Sequence, residues 1–217
     1  MLKVRPLEDG DVASAVRLHL EVLDMEFLSR FGPGFMRTYY QAWRGSPGAI
    51  ALVARDERDE LVGVLLGASD PAAHVQAMVR HYGLRLALRL LGYALVHPRL
   101  AKDLVVTRSR RYVRGLLRLV TSRLSRGSAP ISHGAATIVG EITHVLVSPR
   151  AQGQGIGRAL MDAAVTQARG AGVDELTLVT PPDMAARDFY EHLGWQLEGE
   201  MRSRSGEEFL RFRYRLT

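Results

Sequence analysis

The 217-residue chain contains no cysteine. That removes a disulfide framework, a thiolate metal site and a cysteine nucleophile together. Nowhere do about 18 uncharged apolar residues run together, as a membrane-crossing helix requires. The opening Met1-Leu-Lys-Val-Arg-Pro turns polar at once, so no leader is expected and the chain reads as cytoplasmic. Aromatic residues make up only 7% and are not interleaved with a recurring basic face, so no nucleic-acid partner is expected. The seven histidines are scattered, and no metal cluster is expected. What is present is 47% apolar residue, enough to fill a core in a single domain spanning 1–217.

Charge is the first positive signal, because the net +6 is unevenly laid out. Residues 70–133 hold twelve Lys or Arg against two acids, Asp70 and Asp103, a local charge of +10 that leaves the remainder at −4. Within that segment residues 75–96 and 108–126 have helical patterning. In the second, Val113, Leu117, Val120 and Leu124 form one stripe and Arg111, Arg114 and Arg118 another. The segments on either side read differently. Residues 1–69 give a strand, an amphipathic helix over 11–23, a second helix over 34–43, and two strands joined by the charged turn 56–60, as in a hairpin. Residues 134–217 give strand, turn, helix, strand, helix and two strands. In the last of these Leu210, Phe212, Tyr214 and Leu216 face one way, and Arg211, Arg213 and Arg215 the other.

The densest motif is the run Gln152, Gly153, Gln154, Gly155, Ile156, Gly157, Arg158. A β-like run over 141–147 precedes it and a helix-like run over 158–164 follows, so its backbone N–H groups gather at a helix N-terminus. Glycine allows close approach and the helix end adds roughly half a positive charge, which suits a phosphate. Two other glycine motifs do not fit. A dinucleotide Gly-x-Gly-x-x-Gly counted from Gly153 meets Arg158 at its sixth position, and a P-loop wants Gly-Lys-Ser/Thr where this chain has Gly157, Arg158 and Ala159.

The strand, the Gln-x-x-Gly-x-Gly turn and the helix together resemble the acetyl-CoA pyrophosphate site of the GNAT N-acetyltransferase superfamily. Asp183 to Trp195 resembles that family's Asn-x-x-Ala-x-x-Phe/Leu-Tyr-x-x-x-Gly-Phe helix, with Ala186, Phe189, Tyr190, Gly194 and Trp195 in register. Asp183 stands where the family has asparagine; ionised, it accepts but cannot donate a hydrogen bond, which suits a helix cap better than a coenzyme ligand. The resemblance implies an α+β GNAT fold, a central mixed sheet flanked by helices, with 70–133 as a helical insertion between the third and fourth strands. It also implies an N-acetyltransferase that uses acetyl-CoA as co-substrate, needs no metal, and lets a small primary amine attack the thioester in a ternary complex. A non-catalytic acyl-CoA-binding module and an enzyme for longer acyl groups are the alternatives.

The same resemblance implies roles. Glu141, 11 residues before Gln152, matches the general base of the family's histone acetyltransferases, and Tyr190 the general acid for the departing thiolate. Backbone groups of Val145, Leu146 and Val147 pair with the pantetheine arm, Val147 N–H facing the thioester oxygen. The N–H groups from Gly153 to Arg158 hold the pyrophosphate. Alternation on a regular strand puts Glu141, Thr143, Val145 and Val147 on one face and Ile142, His144 and Leu146 on the other. His144 is the fallback base, and it shares a face with Glu141 only if a bulge intervenes. For the basic insertion three readings stand: a lid drawing in an acidic acceptor such as an amino-sugar nucleotide, a solvated face, or a helix at a membrane surface.

Overall fold

The computed structural model describes residues 2–24, 28–96, 137–182, 184–202 and 206–216. In chain order the elements are β1 (Lys3–Pro6), α1 (Val12–Val22), α2 (Gly32–Trp43), β2 (Ala49–Arg55), β3 (Leu61–Ala68), α3 (Pro71–Val96), β4 (Val139–Val147), α4 (Ile156–Gly170), β5 (Glu175–Thr180), α5 (Met184–His192), β6 (Gln196–Arg202) and β7 (Glu208–Arg215). This is the order expected from the sequence. The helix expected over 75–96 starts earlier than its apolar pattern suggested, at Pro71, a residue suited to a first helical turn. The expected helix over 108–126 lies outside the described residues.

The seven strands form one sheet in the order β1-β2-β3-β4-β5-β7-β6. All neighbours are antiparallel except β4 and β5, which run parallel and therefore need a crossover, supplied by α4. The β2–β3 hairpin closes on Asp56, whose carboxylate accepts from the N–H groups of Arg58 and Glu60, and Asp59 takes a left-handed φ of 60°.

Helices cover both faces of the sheet, giving two cores. Under α4 and α5 lie Ile50, Leu65, Ile142, Leu160, Leu176, Leu178 and Phe212. α4 buries Ile156, Leu160, Met161, Ala164 and Ala168, the stripe expected of an amphipathic helix. It seats on β3 at Gly63, where a Cβ would fall 2.9 Å from both Ile156 and Leu160. Under α1 and α2 lie Val16, Phe35, Met36, Tyr40, Trp43, Val64, Leu66 and Leu146. Asp11, wholly buried at the start of α1, is clamped by Arg5 (2.7 Å) and Arg55 (2.6 Å). Burial raises its carboxyl pKa, but the two guanidiniums and the Glu8 N–H outweigh that and leave it below its ordinary value.

α3 packs outside α2. Tyr93 meets Phe31 edge-on at 5.9 Å, and His74 stacks on Trp43 at 3.8 Å while its Nδ1 bonds Ser46 Oγ at 2.9 Å. Burial pushes the His74 imidazole down to about 4. Among the described residues no helix is long and apolar enough to cross a membrane.

Candidate active site

The sheet opens at β4. This strand pairs with β5 from Val139 to Ile142 and no further, whereas β5 continues to Thr180 against β7. Among the described residues Val145 to Val147 pair with β3 alone, leaving a gap on the β5 side. Ser148 N–H donates to the Val62 carbonyl across the Gly63–Val147 pair. That pair is thus of the non-hydrogen-bonded kind, so the backbone groups of Val147, and by alternation those of Val145, turn from β3 toward the gap. Leu146 turns its own backbone groups to β3, and its side chain is fully buried under α1 and α2.

At the end of the gap the chain makes a short 3-10 turn, Pro149–Ala151, and then the exposed run from Gln152 to Gly155. Gly153 and Gly155 both take φ +76°, where a side chain would be strained. α4 starts at Ile156 without a side-chain cap, and its first intrahelical donor is Ala159 N–H, to the Gly155 carbonyl. The N–H groups of Ile156, Gly157 and Arg158 therefore have no helical acceptor. The Ile156 side chain is core, while Arg158 is exposed. A Cβ on Gly157 would come within 3.0 Å of the Phe189 ring and 3.7 Å of Val147, so this glycine lets the turn, the end of β4 and α5 meet. Asp183 lies outside the described residues.

The regular alternation assumed for β4 does not hold. Leu66 pairs with His144 but Gly67 pairs with Ile142, so Thr143 is an extra residue, a β-bulge. Ile142 enters the core under α4, whereas His144 reaches α1 and α2. Glu141 pairs with Ala68, which belongs to the α1–α2 core. Glu141 and His144 consequently share a face. A Cβ on Gly67 would fall 2.7 Å from the Glu141 carbonyl oxygen, so a glycine opposite the bulge gives β4 the room it needs.

Glu141 keeps solvent access on one side. The surrounding protein nonetheless desolvates its carboxyl and raises its pKa, against the opposing effects of Arg211 and His144. His144 is buried, its ring 5.1 Å from that of His19 and 6.2 Å from Tyr39. His19, fully buried on α1, bonds Tyr40 of α2 through Nδ1 at 2.9 Å. Sequence reasoning missed His19 and Tyr40; the available signal was a histidine on the apolar stripe of α1 beside Ala15, Val16 and Leu18. Tyr190 belongs to the opposite face. Its ring lies 5.5 Å from Phe212 and 5.1 Å from Phe189, and burial pushes its phenol up to about 12. Among the described residues no group of three or more His, Asp or Glu could hold a metal ion.

The sequence pattern of the Acetyltransferase (GNAT) family matches residues 18–195. The mycothiol acetyltransferase of Beutenbergia cavernae is 47% identical over 57 residues, a match that covers 26% of this chain and 19% of that protein. Among solved structures, the ribosomal-protein-S18-alanine N-acetyltransferase of Escherichia coli aligns at a TM-score of 0.57 and 12% identity, over 100% of this chain and 95% of that one. The Drosophila melanogaster polyamine N acetyltransferase aligns at 0.55 and 16%, over 99% and 100%. At such identities the likeness speaks for the fold alone, and the seven-stranded mixed sheet with its flanking helices is the acyl-CoA N-acyltransferase fold. Matched over most of its length, the chain belongs to the GNAT acetyltransferase family.

Proposed function

We propose that this protein is an N-acetyltransferase, acting as one domain over 1–217, that moves an acetyl group from acetyl-CoA to a primary amine by direct attack in a ternary complex. GNAT enzymes in general use these two substrates. The observation that carries the reading is the β4–β5 gap, which ends on the uncapped N-terminus of α4. An extended pantetheine arm would pair with Val145 and Val147 as a further strand does. Its pyrophosphate would take the N–H groups from Gly153 to Arg158, with Gln152 opening the turn and the Arg158 side chain beside it.

The chemistry follows from the two faces. The incoming amine must be neutral, and Glu141, acting through a water, takes its proton; burial lifts the carboxyl from an ordinary value of about 4.3 toward a useful one. As the new N–C bond forms, charge grows on the thioester oxygen, where Val147 N–H donates; such a donor is worth roughly 3 kcal/mol. The C–S bond then breaks and the thiolate leaves beside Tyr190. A phenol held at about 12 yields its proton reluctantly to a thiolate whose acid lies at about 8.5. Tyr190 therefore acts chiefly by donating a hydrogen bond to the departing sulfur. The acceptor is read as an acidic small molecule such as an amino-sugar nucleotide, on the strength of the +10 carried by residues 70–133.

Calorimetric titration with acetyl-CoA tests the first half of this reading: saturable binding is expected, and no heat at millimolar coenzyme overturns it. Release of free CoA across an amine library that includes amino-sugar nucleotides tests the second half.

A further inference from the structure

α3 is apolar on two opposite sides. Met78, Leu86, Leu90 and Tyr93 pack inward on the core beneath α1 and α2. On the outer side Leu84, Leu88, Leu91 and Leu95, spaced four, three and four residues apart, are 75%, 59%, 57% and 76% exposed. At 100° per residue these four fall within about 40° of a single line, away from the packed face. A helix that is apolar all round is ordinarily covered all round. The charge beside the stripe has one sign: Arg80 and Arg85 flank it and are exposed, Arg89 turns toward Gly34 of α2, and no acid occurs from Pro71 to Val96. Among the described residues none of the three arginines has a carboxylate partner.

We propose that this stripe docks α3 flat on an anionic lipid surface, leucines at the acyl boundary and arginines among the headgroups. Charge selects the occupant. A second copy would bring Arg80 and Arg85 against their own counterparts with no acid to offset them, which disfavours self-association. The four leucines carry no hydrogen-bonding side chain to set a register against a structured partner, and a fluid surface requires none. The helix lies on the surface rather than crossing it. Because α3 rests on α2, which bears Tyr39 beside His144, docking brings the proposed acceptor side near the lipid.

Flotation of the full-length protein with phosphatidylcholine vesicles, with and without phosphatidylglycerol, is the test. Binding is expected to the mixed vesicles alone and to fade with added salt. Neutralising Arg80 and Arg85 to Gln should lower the partition coefficient by about fivefold per arginine. L88E/L91E should lower it more than about tenfold, with melting temperature and acetyl-CoA binding unchanged. Three results overturn the proposal. One is no flotation with the mixed vesicles, or flotation indifferent to L88E/L91E. Another is a melting temperature lowered by about 5 °C or more in L88E/L91E, which means that the chain itself covers the stripe. The third is a concentration-dependent dimer that L88E/L91E abolishes, which makes a second copy the occupant.

Discussion

Beneath α4 and α5 the core is mostly apolar, with Thr180 and the tip of Tyr190 its buried polar side-chain groups besides the Trp195 indole among those described, whereas beneath α1, α2 and α3 Asp11, His19, Ser29, Thr38, His74 and His144 are all buried. The contrast follows from what each side is proposed to bind. A coenzyme held by backbone N–H groups needs a rigid platform, and aliphatic packing supplies that. An acceptor that must be oriented and deprotonated needs side chains that donate, accept and titrate. Burying such groups costs free energy unless they are satisfied. On the acceptor side satisfaction is incomplete: Trp43 Nε1, His74 Nε2 and Ser29 Oγ have no hydrogen-bond partner among the described residues.

The sharpest way to break this comparison is to cut each core once. Asp11→Ala strands two arginines and should cost about 3–5 kcal/mol, and Phe212→Ala on the other side should cost a similar ~3–5 kcal/mol by opening a cavity. Their pH dependence should differ. Because the folded pKa of Asp11 is lowered, its contribution is present above the unfolded value of about 3.9 and is lost as pH falls through the folded one. Urea melts from neutral to acid pH should therefore show the Asp11→Ala deficit shrinking while that of Phe212→Ala stays constant.

His74 gives the next largest effect. It is neutral in the fold at a pKa of about 4 and titrates at about 6.5 when unfolded, so the unfolded state binds the proton first. Stability should fall as pH drops from about 6.5 to about 4, by at most about 3 kcal/mol, and His74→Phe should flatten that slope. A slope unchanged in the variant would remove His74 as its cause.

Glu141→Gln and Tyr190→Phe probe the two proposed catalytic groups. Each should lower kcat about 10²-fold, about 2.7 kcal/mol, with acetyl-CoA affinity nearly intact. Near-normal turnover in Glu141→Gln would hand the base role to His144. The smallest effect expected is that of Gly155→Val. A β-branched residue at φ +76° carries about 1–2 kcal/mol of strain, and no neighbour lies within 4 Å of the new Cβ. The protein should fold, while acetyl-CoA binding weakens about tenfold as measured by calorimetry.

Much of the coenzyme side was legible in the sequence because its chemistry is local. Gly153 and Gly155 announce left-handed backbone within four residues of the helix that they open, and Phe189, Tyr190 and Trp195 lie along one short helix and the turn after it. The alternation of β7 was read correctly for the same reason, since Leu210 and Phe212 are buried and Arg211 and Arg213 are not. The acceptor side was not legible in this way. Whether Glu141 and His144 share a face depends on how β4 registers against β3, and a period of two carries no record of an extra residue. Gly67 is some 74 positions before Glu141, and only the sheet brings them together.

By itself the sequence determined the element order, the glycine turn that opens α4 and the family, all of which rest on residues close together along the chain. Tertiary structure alone decided the rest: the parting of β4 from β5, the bulge at Thr143, the His19–Tyr40 pair behind His144, and the outward row from Leu84 to Leu95. Each depends on a neighbour distant in sequence, because burial and face are properties of packed pairs and not of any single segment.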